Sequence, residues 1–337
     1  MKFDITQQQP FPSLVTLFVT SIIGLFALLG GRHFLLEYPA TESIFGAPIT
    51  IFQESHRVLS AIFVSLAIFV STLRLGRIAS MHNLFSGSTS IHLPLLGLLM
   101  WCVVLNGEYL LSTIVLLVVC RILGFLLFAV RNNSSVAYLF NASLALAILP
   151  LFYPSAIALW VVMPIVLILS GATWREWVAS LAGLVISFGG VSYIYWLCGY
   201  DLLYVGQTIA ATLQDSSFPL TEFHTILPFR GVVMLISILL SLISPLWFDG
   251  LVPRTRSRLQ ILFILFLTLS AAFALPSSTL MSFTIISPLV ALLLTFCMVQ
   301  LRGGVISILY FILLLLTLLS MLIPLYLPLE QLIFLLQ

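Results

Sequence analysis

Long apolar runs, separated by short polar or Pro/Gly-containing breaks, occupy most of this 337-residue sequence. A helix needs about 20 mostly apolar residues to cross the hydrocarbon core of a bilayer, and most of the runs have about that length. Eleven runs can be separated, at 13–30, 57–73, 92–106, 109–129, 136–152, 155–171, 178–197, 230–248, 259–275, 279–300 and 304–329. The sequence therefore predicts an all-α, polytopic transmembrane helical bundle, with residues 1–337 forming a single integral membrane domain.

The composition excludes a soluble protein. Apolar residues make up 61% of the chain and charged residues 7%, against roughly 45–50% and about 25% in an average globular domain. Thirteen basic and eleven acidic side chains cannot cover the surface of a chain of this length. The net charge of +2 also provides no basic field for nucleic acid, so no nucleic-acid partner is expected.

The third run, 92–106, is short, and only Asn106, Gly107 and Glu108 separate it from the fourth run. A run of this length is consistent with a full crossing or with one arm of a re-entrant hairpin. Residues 92–129 therefore form either two crossings or a hairpin that enters and leaves on the same side.

Arginines alternate between the predicted loops. Cytoplasmic loops collect Lys and Arg, and with the N-terminus inside, the even-numbered loops contain Arg74, Arg77, Arg131, Arg175, Arg254, Arg256, Arg258 and Arg302. Arg32 and Arg57 break the pattern, because they lie in or beside the first outer loop. We therefore predict eleven crossings, with a cytoplasmic N-terminus and the C-terminus outside.

Two predicted outer loops are longer than simple connectors. Loop one, residues 31–56, reads GRHFLLEYPATESIFGAPITIFQESH and contains three of the eleven acidic residues. Loop seven, residues 198–229, contains four apolar residues that fall on one helical face: Leu202, Val205, Ile209 and Leu213. This spacing predicts an amphipathic helix that lies on the outer membrane surface.

The charged residues in and near loop one are the main site candidates. The carboxylate of Glu37 or Glu54 can accept a proton from a substrate. Basic side chains that can bind a phosphate at this side are Arg32, His56, Arg57 and Arg230; the planar fork of Arg suits phosphate oxygens particularly well. The alternative is that these residues anchor helix ends in the headgroup layer. No predicted run carries an acid at its middle, which disfavours an ion-coupled carrier.

No metal site or cofactor is predicted. The four cysteines form no CxxC pair, and three of them lie inside apolar runs as buried thiols usually do. Asp215, Glu222 and His224 share loop seven without the spacing of a metal site, so a solvated loop is the simpler interpretation. The sequence contains neither GxxxxGK[ST] nor HExxH.

The segment 139–184 reads LFNASLALAILPLFYPSAIALWVVMPIVLILSGATWREWVASLAGL. It resembles an uncharacterised family of bacterial inner-membrane proteins, known as a domain of unknown function. In that family an Asn-containing span, a Leu-Phe-Tyr-Pro hairpin and a Trp-Arg-Glu-Trp start of the next span recur in this order. The resemblance implies the bacterial inner (cytoplasmic) membrane and assigns no reaction.

The loop order resembles a second family, the polyprenyl-phosphate-sugar glycosyltransferases of the C superfamily. Those enzymes have a cytoplasmic N-terminus, a catalytic acid in the first outer loop and a further long outer loop. The resemblance implies Glu37 as the nearest match to that acid, Glu54 as the next, and Arg230 or Arg57 as the donor-phosphate residue. The chain departs from the family motif, which is usually an Asp or an acidic pair, because loop one has separated Glu residues and no Asp.

Three functions follow from these patterns. The first is a glycosyltransferase-like enzyme that uses a polyprenyl-phosphate-linked sugar at the outer face of the inner membrane, with that membrane lipid as its partner. The second is a transporter or flippase for a lipid or small molecule. The third is a non-catalytic scaffold subunit that binds other membrane proteins of an envelope assembly.

Overall fold

The computed structural model describes residues 10–30, 43–85, 89–105, 108–131, 136–215, 228–271, 281–301 and 303–326. Within these ranges the regular backbone is helical and contains no β-strand. The α-helices are α1 (Pro10–Gly30), α2 (Gly46–Ser55), α3 (Arg57–Met81), α4 (His92–Val104), α5 (Tyr109–Arg131), α6 (Val136–Phe152), α7 (Val162–Leu169), α8 (Trp174–Leu197), α9 (Tyr204–Asp215), α10 (Pro228–Ile243), α11 (Pro253–Ala271), α12 (Met281–Gln300) and α13 (Gly303–Tyr326). Two 3-10 helices, Pro154–Val161 and Ser244–Trp247, precede α7 and follow α10. The all-α prediction is confirmed.

In the described part of the chain, seven helices are long and apolar enough to cross a membrane: Phe11–Gly30, Arg57–Met81, Tyr109–Ala129, Trp174–Leu197, Phe229–Trp247, Ser282–Gln300 and Gly304–Leu322. Three shorter apolar helical segments cover further predicted runs: His92–Val104, Val136–Phe152 and Pro154–Leu169. The remaining run corresponds to α11, whose first six residues include Arg254, Arg256 and Arg258. These features are those of a multi-pass membrane protein, and the count of eleven crossings stays a prediction.

The break between the fifth and sixth predicted runs lies at the Leu-Phe-Tyr-Pro sequence. A residue that precedes proline is disfavoured in the α region, and Tyr153, before Pro154, is extended with φ −141° and ψ 100°. α6 therefore ends at Phe152, and the chain reverses into the 3-10 helix. The Tyr153 hydroxyl lies 2.6 Å from Ser282 Oγ, which fixes this corner to the start of α12.

α4 and α12 form the centre of the bundle. All thirteen residues of α4 are buried. In α12, 94% of the most apolar 18-residue stretch is buried. Helix α1 packs closely on α4, since Gly24 lies against the Trp101 ring and Gly97 against Leu17. Because lipid tails are as apolar as these side chains, the central contacts depend on close packing rather than on exclusion of water.

The outer helices carry exposed apolar faces. The exposed side chains on these faces include Phe18 and Phe26 of α1, Leu66 of α3, Leu235 of α10 and Phe311 of α13. A soluble protein rarely exposes contiguous apolar patches of this extent, whereas the lipid-facing surface of a membrane bundle consists of such residues.

Arginine side chains bind backbone carbonyls at two opposite ends of the bundle. Helix α3, which is about 37 Å long, runs from one end to the other. At the first, called the Arg57 end, Arg57 binds the carbonyl of Leu28 near the end of α1. Since the contacts Leu17–Gly97 and Gly24–Trp101 follow each other in the same direction along both helices, α4 runs parallel to α1 and also ends here. At the second, called the Arg258 end, Arg258 Nη1 donates to the carbonyl of His82. The Arg57 end corresponds to the predicted outer side.

The amphipathic helix predicted in loop seven is α9, but its apolar face packs on protein. Val205 and Ile209 are buried against a cluster that includes Leu151 and Phe188. Leu202, predicted on the same face, lies before the helix and is exposed. The spacing identified the apolar face correctly, and the end of α6, the 3-10 helix Pro154–Val161 and α8 cover it.

Candidate functional site

The structure describes four of the six predicted site residues. Glu54, His56, Arg57 and Arg230 lie at the Arg57 end, whereas Glu37 and Arg32 fall at 31–42, outside the described residues. Glu54 belongs to the last turn of α2, and Arg57 begins α3. The candidate site is therefore the corner between these two helices.

The α2–α3 corner is a sharp turn at His56. α2 ends at Ser55 because His56 leaves the helical region, with φ −124° and ψ 52°, while its N–H still donates to the carbonyl of Phe52. The His56 ring stacks on Phe52 with the centroids 4.8 Å apart, and its Nδ1 lies 2.8 Å from Ser55 Oγ. Glu54 and His56 are both exposed beside this turn.

Arg57 is half-buried and binds the end of α1. Its Nη2 donates to the carbonyl of Leu28 at 3.0 Å, one of the last carbonyls of α1 and without an intrahelical partner. A guanidinium at this place also compensates the partial negative charge of the helix C-terminus. Arg57 therefore has a structural role in addition to any contact with a substrate.

Gln53 positions the corner, and it is not among the site residues predicted from the sequence. The residue is 5% exposed, and its Oε1 accepts a hydrogen bond from the N–H of Leu110 at 3.0 Å. This N–H belongs to the first turn of α5, where backbone donors have no helical partner. The sequence signal for this role was that Gln53 is an amide side chain beside apolar residues near the end of loop one.

Tyr109, the first residue of α5, joins the group. It is 3% exposed and lies within electrostatic range of both Arg57 and Glu54. The corner therefore combines an exposed carboxylate, an exposed imidazole and a half-buried guanidinium near a tyrosine. This arrangement can accept a proton and can neutralise an oxyanion.

The described residues of loop one that precede α2 are fixed to the end of α6. The N–H of Phe45 donates to the carbonyl of Leu151 at 3.1 Å, and the centroids of the Phe45 and Phe152 rings lie 5.3 Å apart. α2 is thereby held between α5 and the end of α6. The acid-bearing turn is consequently presented by anchored elements, which a precisely oriented site requires.

Arg230 is buried rather than open to an outer leaflet. It is 2% exposed, and its Nη1 and Nη2 donate to the carbonyls of Leu105 and Ser320 at 3.2 and 3.3 Å. Leu105 follows the last residue of α4, and Ser320 lies near the end of α13. Arg230 thus binds two helix C-terminal regions, and its described hydrogen bonds go to different helices from that of Arg57.

Arg121 of α5 lies away from this corner. The residue is exposed, and its Cζ lies 4.7 Å from the centroid of the Phe125 ring, one helical turn further on. A cation over an aromatic face in this way gains a cation–π interaction.

Thiols and metal ligands do not define a second site within the described ranges. Cys102, Cys120 and Cys297 are buried free thiols, and Cys198 is an exposed one. In the same ranges no group of three or more His, Cys, Asp or Glu residues is placed to hold a metal ion.

Comparisons with known proteins give no match: no protein-family profile, no curated protein and no solved structure is significantly similar to this chain. The resemblances of segment 139–184 and of the loop order therefore stay predictions, and the functional argument depends on the residues themselves.

Proposed function

We propose that this protein is a glycosyltransferase-like membrane enzyme that uses a polyprenyl-phosphate-linked sugar at the outer face of the bacterial inner membrane. The observation that carries the proposal is the α2–α3 corner, where the exposed carboxylate of Glu54 lies three residues before the half-buried guanidinium of Arg57. Arg57 begins α3, which is long and apolar enough to cross a membrane, and Glu54 lies in the last turn of α2 directly before it; the proposal places this corner at the depth of the lipid headgroups.

The reaction requires a base that deprotonates the acceptor and a cation that stabilises the leaving phosphate. Glu54 accepts the proton of an acceptor hydroxyl, whose oxygen then attacks the anomeric carbon of the sugar. The bond between that carbon and the phosphate oxygen breaks, and the polyprenyl phosphate leaves as an anion that Arg57 stabilises. Glu37 is the second candidate for the base, and Arg32 and His56 are further candidates for the phosphate. Arg230 has no part in this scheme, because it is buried and binds the carbonyls of Leu105 and Ser320.

The proposed topology has eleven crossings, a cytoplasmic N-terminus and an outer C-terminus. Three contacts between helix ends support it, because each contact joins two ends that this topology assigns to the same side of the membrane. The contacts are Arg57–Leu28 and Arg230–Leu105 at the outer side and Arg258–His82 at the cytoplasmic side. The short α4 is the main test of the count, since thirteen residues extend only about 20 Å.

The distribution of acids favours this proposal over an ion-coupled transporter. Among the described residues with placed side chains, the acids Glu54, Glu108, Glu176, Asp201 and Asp249 lie at helix ends or in turns. A coupled carrier usually needs an ionisable group at mid-depth. A flippase or a scaffold subunit therefore stays the alternative that the experiment has to separate.

The experiment compares Glu54→Gln with Asp201→Asn in a complemented deletion strain. Asp201 is an exposed acid in the turn between α8 and α9, outside the α2–α3 corner, so it controls for loss of an outer charge. We expect Glu54→Gln to slow sugar transfer by about 10²-fold or more, as loss of a general base does, and Asp201→Asn to leave the rate unchanged. The measured quantity is transfer from a synthetic polyprenyl-phosphate sugar in membranes.

The same strains distinguish the alternatives. Loss of transfer in Glu37→Gln, with none in Glu54→Gln, would assign the base to Glu37. Normal envelope glycoconjugates in the single and double Glu variants would contradict the enzyme proposal. In that case, donor lipid retained on the inner leaflet of the deletion strain indicates a flippase, and co-purification in fixed stoichiometry with other membrane proteins indicates a scaffold.

A further inference from the structure

A cleft at the Arg258 end is not used by the proposed reaction. It lies between the end of α7, the turn after the 3-10 helix Ser244–Trp247 and the first turns of α11, and has a volume of about 600 Å³. This is the size range of sites for small ligands. The proposed glycosyl transfer takes place at the opposite end of α3, so the cleft needs a separate explanation.

The mouth of the cleft carries one positive and one negative side chain. Arg256 Nη2 lies 2.9 Å from Asp249 Oδ1, and the two side chains are 43% and 87% exposed. An ion pair this exposed contributes little stability, so either group can exchange its partner for a ligand. Ser257 and Gln260 add neutral hydrogen-bonding groups on the same side.

The polarity of the cleft changes along α11. Its lining residues are polar in the first turns, at Arg256 and Ser257, and become apolar at Phe263 and Ile264. Ile264 lies eight positions after Arg256, which corresponds to about 12 Å along the helix. A polar mouth at the start of α11, followed by an apolar wall further along the helix, matches a molecule with a polar head and an apolar chain.

The apolar wall is a packed surface. Phe248 is 4% exposed. Its ring packs edge-on against Phe263, with ring centroids 6.3 Å apart, and against Phe296 of α12, with centroids 5.5 Å apart. The wall is therefore continuous with the buried centre of the bundle. Such a preformed wall binds an acyl chain without the cost of ordering mobile side chains.

We propose that this cleft binds one membrane phospholipid whose head carries both a phosphate and a primary ammonium group. Arg256 and Ser257 would bind the phosphate, and Asp249 would accept a hydrogen bond from the ammonium. The Asp249 carboxylate would repel a purely anionic head. A head with a phosphate and an ammonium group complements both Arg256 and Asp249. The positive end of the α11 dipole adds to the attraction for phosphate.

Native mass spectrometry of the detergent-solubilised full chain tests the proposal. The probes are phosphatidylethanolamine, phosphatidylglycerol and phosphatidylcholine with identical acyl chains. We expect saturable binding of one phosphatidylethanolamine, about tenfold tighter than that of the other two, as expected for one additional charge-assisted hydrogen bond. Asp249→Asn should remove this preference, and Arg256→Gln should weaken binding of all three lipids about tenfold.

Two further variants control for position and folding. Arg175→Gln removes an exposed arginine from the start of α8, outside the cleft lining, and should bind like the wild type. Ile264→Trp fills the apolar wall and should weaken phosphatidylethanolamine without changing either charge. Phosphatidylglycerol bound as tightly as phosphatidylethanolamine, absence of saturable binding, or equal effects of Arg256→Gln and Arg175→Gln would each overturn the proposal.

Discussion

α12 and α8 are both apolar helices of membrane-spanning length, yet they occupy opposite environments. Their most apolar windows have mean hydropathies of 2.2 and 1.7, while 94% of the window is buried in α12 and 17% in α8. α12 contacts helices on several sides, whereas α8 packs mainly on α6. Mean hydropathy therefore identifies a helix that can cross a membrane, but does not separate a central helix from a peripheral one.

The two helices differ in which polar and aromatic residues they contain. α12 has four buried small polar residues, Ser282, Thr284, Ser287 and Thr295, and such residues let neighbouring helices approach closely. α8 has two buried serines, Ser180 and Ser192, and its ends carry exposed aromatic residues: Trp174, Trp177, Tyr193 and Trp196. Trp and Tyr are enriched at membrane interfaces, so their position at both ends is typical of a lipid-facing helix.

The largest effect is expected for a methyl group added at the centre. A Cβ at Gly24 would overlap the fully buried Trp101 ring, whereas a Cβ at Gly189 of α8 would meet nothing within 4 Å. We expect Gly24→Ala to destabilise the fold by about 3 kcal/mol, the upper part of the usual cost of overpacking. Gly189→Ala should leave stability unchanged or raise it slightly, because Ala favours helix.

The measurement is the thermal unfolding midpoint of both variants in the same detergent. Equal midpoints for Gly24→Ala and Gly189→Ala would show that α1 can move away from α4 without loss of stability. The distinction between centre and periphery would then have no energetic basis.

A smaller effect is expected for a cavity. Leu292 of α12 is 0% exposed and Leu181 of α8 is 65% exposed. Since an unfolded leucine in a membrane still contacts lipid, Leu292→Ala loses packing but little transfer free energy, and we expect a loss of about 2 kcal/mol. Leu181→Ala should change the unfolding free energy by less than about 0.5 kcal/mol. A similar loss in both variants would mean that another molecule covers α8.

The sequence predicted what depends on composition and local spacing. The apolar runs, the break at Tyr153 and the apolar face of α9 follow from neighbours along the chain, and the all-α fold is confirmed. Burial of Arg230 could not be predicted, because the carbonyls that it binds belong to α4 and α13, more than 80 residues away on either side. Glu54 and Arg57 were chosen as site candidates from their charges, but the helix Gly46–Ser55 inside loop one was not predicted, and its fixation by Gln53 depends on where α5 begins.

The smallest effect concerns the start of α8, where little packing supports the helix. Glu176 Oε2 accepts hydrogen bonds from the Thr173 N–H at 2.6 Å and from the Thr173 hydroxyl at 3.1 Å. We expect Glu176→Ala to cost about 1 kcal/mol, as loss of a capping side chain does, and Glu176→Gln to cost less, because the amide oxygen still accepts. Hydrogen exchange at the first turn of α8 is the measurement, since a local opening there leaves α12 protected. Faster exchange in α12 as well would show that α8 is coupled to the centre through α6, and the two helices would then belong to one cooperative unit.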